Sequence, residues 1–275
     1  MDQFAIYLPL DMIPRFSRRS PVAVIAEPRH ANVVVCYIPQ PCVMKNFRLH
    51  EDRAANVKAS LEVAAMQWKR AEGHPNIHRL LGLCGNYPVP SVVTPYIERS
   101  LLEYLLTTQA NSVVMFATLQ SVATALGYLH DQNPPILHSN VKASNILVDR
   151  SGKALLTDIG IHNAVMQSDA DSSIRWRARE IVLSVGPSPP TKAADCWSMG
   201  MTILEVVSRQ RPFAQFPNDA QVIMALYQGH FPLLPPGLDG HLEGLLSSCW
   251  KPPLQRLSIQ TIAKYLRLLS ERARE

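Results

Sequence analysis

The chain has no glycine before Gly73, although it contains 12 glycines in all. Glycine lets a backbone approach a ligand closely, because it carries no Cβ atom. Loops that bind phosphate through backbone amides are usually rich in glycine for this reason. The first 72 residues therefore lack the composition from which such a loop is normally built.

The cysteines form no recognisable pair. The five are Cys36, Cys42, Cys84, Cys196 and Cys249, with no Cys-x-x-Cys among them. An odd number without close spacing argues against a disulfide framework and against a zinc site. We expect reduced, mostly buried thiols in a cytoplasmic protein.

Dense charge and long apolar runs are missing as well. The net charge is +5 and the pI is near 9.0, but the basic residues are scattered, so no nucleic-acid partner is expected. The apolar run at residues 199–207 is far shorter than a bilayer span, and the N-terminus lacks the basic region of a signal peptide. We expect no membrane span.

What is present is an ordinary globular composition. The chain has 275 residues, of which 47% are hydrophobic and 18% are charged. Such a chain is long enough to bury most of its apolar surface in one large domain or two small ones.

The first part of the chain has a strand-rich pattern with one helix. Residues 1–20 contain two prolines and no clear period, which indicates an N-terminal arm. Short runs of Val and Ile at residues 22–45 predict two or three antiparallel strands, and short strands are also predicted at 80–84 and 91–96. The helical spacing of Val57, Leu61, Ala65 and Trp68 predicts a helix over residues 54–71.

Helical patterns predominate after Ile97. Helices are predicted at residues 101–106 and 113–130, and several more from residue 193 onward. Two short strands are predicted at residues 146–148 and 154–157, followed by a polar segment at 166–175. A small sheet followed by helices predicts an α+β protein with two lobes, at residues 21–96 and 97–275.

The stretch at residues 138–147 reads His-Ser-Asn-Val-Lys-Ala-Ser-Asn-Ile-Leu. It resembles the catalytic loop of eukaryotic protein kinases, whose pattern is His-Arg-Asp-x-Lys-x-x-Asn followed by an apolar strand. His138, Lys142 and Asn145 match that pattern. Asn140 stands where the pattern has its catalytic Asp, and Ser139 stands where it has Arg.

Six further segments resemble landmarks of the same family, and they occur in the family's order. They are His74-Pro75-Asn76-Ile77, Asp158-Ile159-Gly160, Trp176-Arg177-Ala178-Arg179-Glu180, Asp195-Cys196-Trp197-Ser198-Met199-Gly200, Arg211-Pro212-Phe213, and Cys249-Trp250 with Arg256. The last signature is most similar to tyrosine kinases and the tyrosine-kinase-like group. The resemblance covers about residues 22–270 and implies a bilobal fold, with a small antiparallel sheet and one helix in the N-lobe and a helical C-lobe.

This resemblance implies an ATP site between the lobes. Lys45 would contact the α- and β-phosphates, with Glu62 as its partner on the helix and Glu72 or Glu51 as alternatives. Thr94 would occupy the gatekeeper position. The backbone of the hinge Pro95-Tyr96-Ile97 would contact adenine, so Tyr96 belongs to the predicted site.

The resemblance also implies a metal site and a structural ion pair. Asp158 and Asn145 would hold Mg²⁺, which selects hard oxygen donors of this kind. Glu180 and Arg256 would form an ion pair that holds the C-lobe together. Both roles are expectations from the family pattern.

One departure from the pattern lies in the glycine-rich loop. The pattern Gly-x-Gly-x-x-Gly-x-Val aligns on residues 26–33, where Ala26, Pro28 and Ala31 replace the glycines and Val33 matches. Cβ atoms obstruct a close approach to phosphate, and proline has no amide donor. We therefore expect weakened nucleotide binding.

The other departure is in the catalytic loop. Asn140 is nearly isosteric with Asp but cannot accept a proton from a substrate hydroxyl. Without an Arg at Ser139, a phosphate on the segment that carries Ser168, Ser172 or Ser173 would lose its usual partner. Control by phosphorylation of this segment is therefore not expected.

The sequence thus predicts a catalytically impaired pseudokinase, a binding or scaffold module for a protein partner in signalling that binds ATP and Mg²⁺ weakly at most. The alternative is an active or weakly active protein kinase acting on Ser/Thr or Tyr. It rests on the retained Lys45, Asp158, Asn145 and Lys142, which phosphotransfer would use. Neither interpretation defines a partner, a substrate or an oligomeric state.

Overall fold

The computed structural model describes residues 23–26, 31–37, 41–47, 51–85, 89–165, 173–186 and 188–275. The predicted N-terminal arm at residues 1–20 lies outside these ranges. The described part is a mixed α+β structure, with its larger sheet before Ile97 and most of its helices after it. This arrangement confirms the predicted fold class.

The N-lobe sheet has five described strands in the order β1-β2-β3-β5-β4, all antiparallel to their neighbours. Their bounds are β1 Ala23–Ala26, β2 Ala31–Tyr37, β3 Pro41–Phe47, β4 Gly82–Cys84 and β5 Ser91–Pro95. The two or three strands predicted at residues 22–45 are thus three. The register places Lys45 of β3 opposite Val33 of β2 and Val92 of β5.

Helix α1, Glu51–Ala71, packs under this sheet. Val57, Leu61, Ala65 and Trp68 are all buried, as their helical spacing predicts. The helix begins three residues before the predicted start. It ends before the turn at Gly73, beyond which the chain leads to the loop that contains His78.

The C-lobe is built mainly from helices. Its helices are α2 Leu101–Thr107, α3 Ser112–His130, α4 Ile161–Val165, α5 Arg179–Val182, α6 Lys192–Ser208, α7 Asp219–Tyr227, α8 Gly240–Cys249 and α9 Ile259–Arg272. Short 3₁₀ turns lie at Ala143–Asn145, Ile174–Trp176 and Pro253–Gln255. Side-chain N-caps define several starts: Asn111 accepts from the amide of Val114, and Thr191 accepts from that of Ala194.

Helices α3 and α9 pack against each other and form the base of the C-lobe core. Helix α3 is long and apolar enough, by length and composition alone, to cross a membrane. Half of that apolar stretch is buried inside the protein, and a core helix has the same composition. The described residues contain one helix of this kind, which by itself is weak evidence for a membrane span.

A small second sheet joins the lobes. It consists of β6 Arg99–Ser100, β7 Ile146–Val148 and β8 Ala154–Leu156 in that order. The loop that precedes β4 is attached to this sheet, because Leu156 donates to Asn76 O at 2.8 Å and accepts from the amide of His78 at 2.9 Å. The end of β8 therefore holds the N-lobe loop in place.

An ion pair links the helices that follow the catalytic loop. The Arg256 guanidinium donates to both Glu180 oxygens at 2.7 and 3.0 Å, and its side chain is 1% exposed. It also donates to Ala193 O at 2.6 Å and lies over the Trp197 ring. The predicted pair is confirmed, and its partly buried bidentate geometry makes it a structural contact.

We predict that Arg256→Ala destabilises the protein strongly. The substitution leaves Glu180 and the Ala193 carbonyl without their donor, and breaking such a buried pair costs about 3–5 kcal/mol. Chemical denaturation gives the free energy of unfolding. Arg267→Ala is the matched control, because Arg267 forms an exposed pair with Glu271 and should change stability little. Equal effects of the two substitutions would contradict this prediction.

Candidate active site

The catalytic loop is held by the carboxylate of Asp195, near the start of α6. This residue is 1% exposed. One of its oxygens accepts from the Ser139 amide at 2.8 Å, and the other accepts from the His138 amide at 2.9 Å and lies 3.0 Å from His130 Nε2. Ser139 has a positive φ of 68°, which is unfavourable for a non-glycine residue. The buried carboxylate therefore stabilises a strained turn at the start of the loop.

His138 connects this loop to the segment that carries Asp158. The imidazole is fully buried, and its Nε2 donates to Thr157 O at 2.9 Å. Its Nδ1 accepts from the Asn140 amide at 3.3 Å. Burial lowers the pKa of His138, so the ring is neutral at neutral pH and serves as a structural connector.

Asn140 occupies the position predicted for the catalytic base. Its side chain is buried, and its Oδ1 has no hydrogen-bond partner among the described residues. The Asn140 carbonyl accepts from Asn145 Nδ2 at 2.9 Å, which ties the two predicted site residues together. The carboxamide oxygen could thus accept a hydrogen bond from a ligand, but a neutral amide cannot take up a proton at neutral pH.

Lys45 and Asp158 form an ion pair across the cleft, with Nζ 2.6 Å from Oδ2. Strand β3 presents the lysine, and the chain after β8 presents the carboxylate with a φ of 62°. Burial alone would raise the pKa of Asp158. The charge and hydrogen bond of Lys45, with help from His138 and Lys142, instead hold this pKa below its usual range.

The predicted Lys45–Glu62 pair does not occur among the described residues, where Asp158 is the carboxylate that binds Lys45. Glu62 is half-buried on α1 and makes an interaction of its own. The alternative Glu72 binds the Leu80 amide at 2.6 Å and lies 3.3 Å from Lys69. The side chain of the other alternative, Glu51, lies outside the described residues.

The segment after Asp158 packs against α1. Ile159 is fully buried, and Gly160 has a φ of 71° that favours glycine. A Cβ at Gly160 would lie 3.5 Å from the Ala64 Cβ, so the two backbones approach closely here. Helix α4 follows directly and packs on α1. Ala64 therefore faces this segment, while Lys45 reaches Asp158 from the sheet.

Lys142 contacts the segment that follows the undescribed residues 166–172. Its Nζ donates to Ser173 Oγ at 3.0 Å and lies over the Trp176 ring. Ser173 is 1% exposed, so this predicted phosphorylation candidate is buried in the structure. Ser168 and Ser172 lie outside the described residues.

Two buried residues that the sequence analysis did not single out complete the site. Glu205 of α6 accepts from the Ala143 amide at 2.9 Å and from Trp176 Nε1 at 2.8 Å. Burial raises the pKa of Glu205, against the lowering effect of these two hydrogen bonds. It is the one charged residue in the apolar run 199–207, and this signal could have identified it.

Arg175 is the second such residue. It donates to the carbonyls of Pro212, Phe213 and Phe216 and to Asp219. These contacts attach the 3₁₀ turn Ile174–Trp176 to the start of α7. Nothing in its sequence context distinguishes it from a solvated arginine.

The hinge lies at the end of β5. Thr94 is buried, and the Tyr96 amide donates to Pro41 O at 3.0 Å. Pro95 O lies 3.1 Å from Nε2 of the buried His78. Ala26 ends β1, while Ala31 and Val33 lie on β2, so the aligned loop spans the connection between these strands. Residues 27–30 lie outside the described ranges.

The site has two oxygen donors suited to a hard cation, the Asp158 carboxylate and the Asn145 amide oxygen. Asn145 uses its Nδ2 on the Asn140 carbonyl, which leaves its oxygen for another contact. Among the described residues, no group of three or more His, Cys, Asp or Glu could hold a metal ion. Phosphate oxygens and water would complete the coordination of Mg²⁺ here, so the residues present fit a metal that is bound together with a nucleotide.

Comparison with known proteins agrees with this geometry. A family model described as protein tyrosine and serine/threonine kinase matches residues 30–266. The chain is 30% identical to the serine/threonine-protein kinase CTR1 of Arabidopsis thaliana over 224 residues, which are 77% of this chain and 26% of CTR1. It is 30% identical to the receptor-interacting serine/threonine-protein kinase 2 of Bos taurus over 168 residues, which are 56% of this chain and 31% of that protein.

We predict that Lys45→Met raises the pKa of Asp158. The substitution removes the charge and hydrogen bond that oppose the effect of burial. Because the folded-state pKa of Asp158 lies below its unfolded value, the pair stabilises the protein at neutral pH and loses this contribution as pH falls through the folded-state pKa. Titration of the Asp158 carboxyl carbon by NMR measures the change. The control Lys153→Met should leave the pKa of Asp158 unchanged. An Asp158 pKa that is also unchanged in Lys45→Met would contradict the role of the pair.

Proposed function

Because the chain belongs to the protein tyrosine and serine/threonine kinase family, we propose that it is a protein kinase-like domain with impaired phosphotransfer. It serves as a binding or scaffold module in signalling and retains weak binding of ATP with Mg²⁺. The observation that carries this proposal is Asn140, whose buried amide stands in the place of the base.

The chemical loss at Asn140 is specific. Phosphoryl transfer needs a positioned hydroxyl, and a carboxylate at this point both orients the hydroxyl and accepts its proton. A positioned general base contributes about 10²–10⁴-fold to rate. The Asn140 amide can orient a hydroxyl through Oδ1 but cannot take its proton. The loop geometry is kept by Asp195 and His138, so the loss affects chemistry more than shape.

The connection between β1 and β2 weakens phosphate binding for a second reason. The sequence between Ala26 and Ala31 is Glu-Pro-Arg-His. A proline supplies no amide donor, and the Cβ atoms of the residues that replace glycine obstruct a close approach of the backbone to phosphate. The nucleotide phosphates would therefore depend on Lys45 for most of their protein contacts.

The retained residues support nucleotide binding. Lys45 can turn from Asp158 to the α- and β-phosphates, which frees the Asp158 carboxylate for Mg²⁺ together with Asn145. The metal, when bound, would neutralise phosphate charge. While Lys45 is paired with Asp158, the low pKa of Asp158 keeps its carboxylate ionised at neutral pH, and a bound Mg²⁺ would take over this effect once Lys45 turns to the phosphates. Lys45 Nζ and Asp158 Oδ2 already lie 2.6 Å apart.

A weakly active kinase is the second candidate. It is favoured by the hydrogen bond from Lys142 to Ser173, which fixes the segment that begins at Ser173 against the catalytic loop. The relatives named above are serine/threonine-protein kinases, so Ser or Thr would be the acceptor under this proposal. The chain spans about a third or less of their lengths, so the partner and substrate of the whole protein are a further question for experiment.

We predict that Asn140→Asp increases phosphate transfer from ATP, by up to about 10²-fold, because it restores the base in an intact loop. Purified protein is incubated with radiolabelled ATP, Mg²⁺ or Mn²⁺ and a generic protein substrate, and transfer is counted. Lys45→Met in each background gives the level of contaminating activity.

Transfer by the unmodified protein at rates typical of kinases, abolished by Lys45→Met, would overturn the proposed impairment. If Asn140→Asp gives no gain while ADP and Mg²⁺ still bind, the glycine-free connection limits the reaction. Absence of any thermal shift at millimolar nucleotide and metal would reject nucleotide binding itself.

A further inference from the structure

His78 is a buried histidine whose backbone is fixed by two other elements. It is 2% exposed. Its amide donates to Leu156 O of β8 at 2.9 Å, and its carbonyl accepts from Trp68 Nε1 of α1 at 2.6 Å. These bonds hold the residue between the helix, the second sheet and the hinge. The direction of its side chain is therefore well determined.

The imidazole is directed at the hinge. Its Nε2 lies 3.1 Å from the Pro95 carbonyl oxygen. A carbonyl can only accept, so Nε2 carries the proton and donates. Burial lowers the pKa of His78, in opposition to the Pro95 carbonyl and Asp158, so the ring is neutral at neutral pH. A neutral buried donor thus occupies one hinge carbonyl.

The backbone pattern of the hinge shows which groups face the same edge. The amide of Tyr96 donates to Pro41 O of β3, whereas Val93 O accepts from the Leu81 amide on the opposite edge. Because peptide groups alternate in direction along an extended strand, Val93 and Pro95 share the edge of β5 that is turned away from β3. Pro95 has no amide hydrogen. Pro95 O is therefore the last acceptor of β5 on this edge, and the same alternation, continued past the end of the strand, would place the Ile97 amide beside it.

This acceptor and donor match the edge of a 6-aminopurine. Adenine presents its 6-amino donor beside the acceptor N1, which is complementary to a carbonyl and to an amide two residues further on. Pro95 O would receive the 6-amino group. That oxygen already accepts a hydrogen bond from His78 Nε2, which leaves one of its lone pairs for a ligand. His78 and the 6-amino group would compete for Pro95 O. This competition would weaken the contact that distinguishes adenine from purines without a 6-amino group.

We propose that His78 is a specificity-determining residue of the nucleotide cleft, which lowers the contribution of the 6-amino group and makes the site tolerant of purine nucleotides that lack it. The inference rests on the proposed retention of nucleotide binding. It concerns the nucleobase, since the hydrogen bonds described for His78 are to β8, α1 and the hinge.

The test compares two ligands in three proteins. ADP and purine riboside 5′-diphosphate, which lacks the 6-amino group, are titrated with Mg²⁺ into the unmodified protein, His78→Leu and His78→Gln. Isothermal titration calorimetry gives the two dissociation constants. Their ratio measures base recognition and is insensitive to a general loss of stability, because both ligands share ribose and phosphates.

His78→Leu removes the donor and should raise the preference for ADP about 3–10-fold, the range of one neutral hydrogen bond. His78→Gln keeps an N–H donor and should retain the original ratio. If His78→Leu is the one protein of the three that binds ADP, this result would also support the inference. An unchanged ratio in His78→Leu would overturn the inference and leave nucleotide binding intact. If none of the three proteins binds either ligand, the proposed retention of nucleotide binding fails, and the inference fails with it.

Discussion

The buried carboxylate of Asp195 is the contact on which the geometry of the site depends. It binds two consecutive loop amides and lies against His130, so a single side chain positions the start of the catalytic loop. From there, His138 reaches Thr157 and Asn145 reaches the Asn140 carbonyl. A buried carboxylate without these donors would be very costly, so the loop and α6 stabilise each other.

This network explains how the fold of the catalytic loop is kept with Asn140 in the position of the family's Asp. None of its hydrogen bonds uses the side chain that a base would supply, because Asn140 takes part through its backbone. The exchange of a carboxylate for an amide at this position therefore leaves the surrounding contacts in place. Glu205 acts in the same way on the opposite side, where it joins the 3₁₀ turn at Ala143 to Trp176. Folding and chemistry depend on different atoms of the same loop.

Two contacts define the two ends of the proposed nucleotide site, the Lys45–Asp158 ion pair and the hydrogen bond from His78 to Pro95 O. The ion pair of Lys45 and Asp158 places two opposite charges at the proposed phosphate and metal positions. The nucleobase end is more constrained, since Pro95 lacks an amide and its carbonyl is shared with His78. One end of the proposed site thus has a charged pair, and at the other end a hinge carbonyl already accepts a hydrogen bond. These two features are the basis for the proposed weak nucleotide binding.

The sequence by itself determined the fold class, the order of the elements and the positions of the buried helix faces. These properties follow from local periodicity and from motifs of fixed spacing, as Trp68 on α1 and the Glu180–Arg256 pair illustrate. It did not determine which carboxylate binds Lys45, because Asp158 is 113 residues away in the chain and Glu62 has an equally suitable side chain. The role of His78 was likewise decided by the tertiary structure. Its imidazole meets the hinge only because β8 and α1 hold its backbone from two sides, and no local pattern encodes that meeting.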